Sequence, residues 1–68
     1  MEKIKYIANI LANSMEYWEE NEFLEYLEDS GIANAQEIYD NFWEIEPSER
    51  DNPLFDFEMW LIDNVEFI

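Results

Sequence analysis

The sequence predicts an all-α protein, a compact bundle of three to four short helices with a highly acidic surface. Two observations carry that expectation. Apolar residues recur at helical spacing in separate stretches, and each stretch ends at a cap or breaker residue. Nearly half of the chain, 49%, is apolar, with three Trp, five Phe and four Tyr, enough aromatic area to build a core against the repulsion of 18 acids facing three basic residues. Residues 1–68 read as one small acidic helical domain with a radius of gyration near ~11 Å.

Ile4, Ile7, Ala8, Leu11, Met15 and Trp18 share one helical face, which predicts a first helix over about residues 3–18. Asn21 reads as the N-cap of a second helix that carries Phe23, Leu24 and Leu27 inward and stops at "DSG", where Gly31 takes the left-handed conformation. "NAQE" sets Asn34 three residues before Glu37 in the manner of a capping box, opening a third helix over about 35–45 with Ala35, Ile38, Tyr39, Phe42 and Trp43 on one face. "EPSERDNP" holds both prolines and reads as a loop. A fourth helix starts at Pro53 or with Asp56 as N-cap, and turns Phe57, Trp60, Leu61 and Val65 inward. The closing "NVEFI" alternates like a strand but has no strand to pair with, so a packed tail is expected. Trp18, Trp43 and Trp60 fall in phase with the apolar stripes and read as core. Tyr17, Tyr26 and Phe55 fall off them and read as exposed anchors.

Several classes of chemistry are excluded. With no Cys and no His there is no thiol nucleophile, disulfide, zinc site or His-based triad. Carboxylates alone serve a glycosidase only when two flank a bond inside a cleft, and four short helices around one core do not build its walls. "EDSGIANAQE" and "ERDNPLFDFE" lack the residue order of a calcium loop. No enzyme, cofactor or metal is therefore expected. Asn9 and Asn13 interrupt the first apolar stretch, no run reaches the roughly 20 residues of a membrane span, and anionic lipid headgroups repel such a surface. A cytoplasmic location without membrane contact is expected.

The formal net charge is -15. It is uneven: residues 1–15 hold Glu2, Lys3 and Lys5, a net of +1, and residues 16–68 hold the other 17 acids and Arg50, a net of -16. Glu16, Glu19, Glu20, Glu22, Glu25, Glu28 and Asp29 recur at steps that keep most of them on the solvent side of the second helix, with no Lys or Arg to offset them. Asp40, Glu44, Glu46, Glu49, Asp51, Asp56 and Glu58 continue the same sign. An ordinary soluble surface mixes signs. Three residues of helix rise about 4.5 Å, and a DNA strand carries a phosphate every ~3.4 Å along its axis, so such a row imitates a phosphate row. Together with Tyr26 as an aromatic anchor, these acids are the candidate partner-binding residues.

"FLEYLEDSG", Phe23–Gly31, followed by "LFDFEMWLID", Leu54–Asp63, resembles the final part of ArdA-type antirestriction proteins, in which an acidic helix ending in Gly precedes an aromatic segment with Asp and Glu. The resemblance implies a DNA mimic, encoded by a phage or mobile element, that occupies the DNA groove of a restriction enzyme in the bacterial host, with Asp56 and Glu58 at the family's Asp and Glu. The chain lacks most of that family's length, and "NFWEIEPSERDN" has no counterpart there. Charge and resemblance together lead to the expectation of a DNA-mimic inhibitor, monomeric or homodimeric, whose partner is a DNA-binding protein such as a CRISPR effector or restriction nuclease, and which binds no nucleic acid itself. The alternative is a small acidic regulatory module, an antitoxin or transcription-regulator partner, that docks through an apolar groove.

Overall fold

The computed structural model describes residues 2–68. Helix α1 runs Glu2–Asn13, a 3-10 turn covers Met15–Tyr17, and α2 Glu20–Asp29, α3 Ala35–Glu44, the single turn α4 Pro47–Arg50 and α5 Phe57–Asn64 follow. The protein is an all-α bundle whose radius of gyration is 11.1 Å. α1 packs mainly on α5, and α2 on α3. Their inward faces close one core around Phe23, Ile7, Leu27, Ile32, Ile38 and Leu61.

The first helix is shorter than its stripe. It ends at Asn13, whose Nδ2 donates to the Asn9 carbonyl at 3.0 Å, the local side-chain bonding by which Asn competes with helix propagation. The 3-10 turn then keeps Met15 buried and turns Trp18 onto the core. The second helix begins at Glu20, ahead of Asn21, and has no side-chain cap. Glu20 and Glu22 in its first turn supply the negative charge that a helix N-terminus favours.

Its end follows the expectation. Gly31 has φ +86°, its N–H bonds the Glu28 carbonyl at 3.0 Å and that of Ile32 bonds Leu27 at 3.1 Å. This is a Schellman cap, completed by burial of Leu27 and Ile32 side by side in the core. Asp56 caps α5 by accepting from the Met59 N–H at 3.1 Å, which selects the second of the two predicted starts. The proline-rich stretch holds α4, with Pro47 in its first turn.

Asn34 departs from the capping-box expectation, for its side chain makes no bond to α3. It reaches the tail instead: Nδ2 donates to the Asn64 carbonyl at 2.8 Å, and Oδ1 accepts from the Glu66 N–H at 2.8 Å. The tail has a partner after all, in the turn after α2. Phe67 faces Ile32 in an antiparallel bridge, flanked by Ala33 N–H to Glu66 carbonyl at 2.7 Å and Ile68 N–H to Gly31 carbonyl at 2.9 Å. A strap thus ties the end of α5 to the α2–α3 connection.

Candidate interaction surface

On α2, burial of Phe23 and Leu27 with partial burial of Leu24 and Tyr26 leaves Glu22, Glu25, Glu28 and Asp29 outside. On α3, burial of Ala35, Ile38 and Phe42 leaves Glu37, Asp40 and Glu44 outside. Both helices therefore carry three carboxylates at steps of three and four residues, Glu22–Glu25–Asp29 and Glu37–Asp40–Glu44, opposite a buried pair four residues apart. Each triplet spans about 10.5 Å of helix, the distance over which one DNA strand advances about three phosphates. Residues 20–44 contain no Lys or Arg.

Gln36 joins the two helices' charges. Its Nε2 donates to Glu20 Oε1 at 3.2 Å and to Asp40 Oδ1 at 3.0 Å, so one neutral amide bridges a carboxylate of α2 and one of α3. Among the described residues no group of three acids converges as a metal ion would require. The charge is spread in rows.

The other sequence-selected residues divide by element. Glu16 lies in the 3-10 turn, and Glu19 precedes α2 in extended conformation, outside the helical row. Glu46, Glu49 and Asp51 sit before, in and after α4, all exposed. Asp56 and Glu58 open α5, Asp56 already engaged as cap and Glu58 half-buried. Phe23–Gly31 packs with α3 and most of Leu54–Asp63 with α1, so these two segments lie on different helix pairs.

Three aromatic expectations, for Tyr26, Trp43 and Phe55, are corrected. Tyr26 is no free anchor: it is half-buried on the core, its ring 5.4 Å from Trp18 and 6.4 Å from Phe23, because the 3-10 turn lays Trp18 beside it. Trp43 is not core, being 40% exposed. It follows Phe42, so one residue of helical rotation carries it to the rim of the buried stripe. Tyr17, at 86% exposure, stays free as expected, and Phe55 is half-buried against Phe57 at 4.6 Å.

The sequence offers Glu37 only as the partner of Asn34 in a capping box and does not single out Gln36, although the three-and-four spacing shared with α2 marks Glu37 as part of an acid row. The place of Arg50 had no such signal. Its guanidinium lies 5.0 Å from the Trp43 ring and 5.1 Å from Phe42, with Nε donating to the Ile45 carbonyl at 3.0 Å. The only arginine is thus engaged at the end of α3. Comparison with known proteins returns no matching family model, no similar curated protein and no similar solved structure.

Proposed function

We propose that the protein is a DNA-mimic inhibitor of a host-defence nuclease, of the anti-CRISPR or antirestriction kind, that acts by occupying the enzyme's DNA-binding groove. The repeated carboxylate triplet on two packed helices, free of basic residues, is the observation that carries this reading. Such a surface draws a Lys- and Arg-lined groove by long-range attraction and displaces the phosphates that belong there. No catalytic step and no cofactor enter the mechanism. The inhibitor works in the cytoplasm of a bacterial host on behalf of a phage or mobile element.

The test is cleavage of duplex DNA by a panel of type I restriction enzymes and CRISPR nucleases, with the protein added before DNA and after it. A competitor protects DNA when added first and is overcome by excess DNA. Protection unaffected by DNA concentration contradicts competition.

A second reading, the acidic regulatory module, is favoured by the apolar side chains left outside: Leu54 at 89% and Ile68 at 91% exposure, with Met59 and Ile62 three residues apart on α5. It predicts partner binding that changes little with salt.

A further inference from the structure

We propose that Trp43, with Asp40 and Glu44 beside it, is a seat for an arginine side chain of the partner. This deepens the DNA-mimic reading and rests on it. The indole is held in place, its ring 6.1 Å from Tyr39 and 5.0 Å from Phe42, both edge-on. The chain itself demonstrates the ligand chemistry, since the Arg50 guanidinium stacks 5.0 Å from the same ring. With Arg50 in place, 40% of Trp43 is still open to solvent. Asp40, three residues earlier, is its neighbour on the helix surface, and Glu44 follows it at the end of the carboxylate triplet.

A guanidinium arriving there meets the part of the indole that Arg50 leaves exposed, on a helix surface that also carries two carboxylates, a combination that suits its planar, weakly hydrated fork and not the compact ammonium of lysine. Grooves that hold nucleic acid present arginines to phosphates and bases. The carboxylate rows attract any polycation. The Trp43 seat selects arginine among cations, and a rigid tryptophan at the edge of a charged surface is the residue type that dominates interface energetics.

The probes are blocked hexa-arginine and hexalysine peptides, titrated at one fixed low ionic strength into the wild type, into Trp43→Leu, which keeps bulk and removes the aromatic face, and into Glu22→Gln/Glu25→Gln/Asp29→Asn. The wild type is expected to prefer the arginine peptide, and Trp43→Leu to lose about two- to fivefold of that preference while binding the lysine peptide unchanged. The charge variant should weaken both peptides alike. Should Trp43→Leu lose its helical circular dichroism, the Trp43 ring resonances of the wild type decide: the arginine peptide must shift them more than the lysine peptide does. Equal binding of both peptides, or an arginine preference that survives in Trp43→Leu, overturns the seat and leaves the polyanion reading standing. Failure of both peptides to bind the wild type overturns the seat and the polyanion reading together.

Discussion

At the scale of single residues, burial decides which aromatic side chains hold the protein and which are free to meet a partner. Phe23 has no accessible surface and sits where Trp18, Tyr26 and Tyr39 converge. Phe23→Ala should cost about 3–5 kcal/mol, most of what a domain of this size has. Trp43→Ala should cost less than half as much, and urea unfolding of the two variants checks the order. In the sequence the two rings look alike, since each follows the helical period within its helix. Only the meeting of α3 with Phe57, Trp60 and Arg50 shows that Phe42 takes the inner place and Trp43 the rim. Asn34 was equally illegible, because its partners lie about thirty residues away and a local cap was the nearer use for its amide. Asn34→Ala removes two hydrogen bonds from the strap and should cost about 1–3 kcal/mol, with faster hydrogen exchange at the Glu66 and Ile68 amides than at Leu61. Uniform acceleration would mean that the strap opens only with the whole fold.

At the scale of the element, the helices were legible wherever local chemistry ends them. Gly31 and the Asp56 cap are visible as residue types, and each terminates or starts its helix where the pattern says. The early end of α1 and the bridge between the tail and the α2–α3 turn depend on competition between bonds, which periodicity does not resolve. The acid rows need only the period. They are the readable part of the candidate surface, whereas the Gln36 bridge needs the packing of α2 on α3. Glu22→Gln, Glu25→Gln and Asp29→Asn together should leave the circular dichroism spectrum intact, since exposed substitutions change stability by about 0.5 kcal/mol or less. Association with the target nuclease should slow by roughly tenfold at low salt, with less change in dissociation. Surface plasmon resonance separates the two rates, and a loss confined to dissociation would place α2 outside the steering surface.

At the scale of the whole molecule, a net charge of -15 on 68 residues opposes compaction, and the core carries the fold against it. All 18 carboxylates are exposed save Glu58, which is half-buried. Raising ionic strength from about 0.01 to 0.15 M shortens the screening length from about 30 to 8 Å, so thermal unfolding monitored by circular dichroism should move to higher temperature. A downward shift would mean that attractive charge pairs hold the bundle. The protein alone should retain no labelled duplex in a gel shift at low salt, since phosphate meets like charge over most of its surface. The decisive measurement is fluorescence anisotropy of labelled duplex bound to the inhibited nuclease, titrated at several salt concentrations with the wild type and with a variant in which Glu22, Glu25, Asp29, Glu37, Asp40 and Glu44 all become amides. Wild type should release the duplex with an apparent affinity that falls steeply as salt rises, and the folded six-amide variant should release it only at far higher concentration; equal release by the two proteins would contradict DNA mimicry by the helical carboxylate rows.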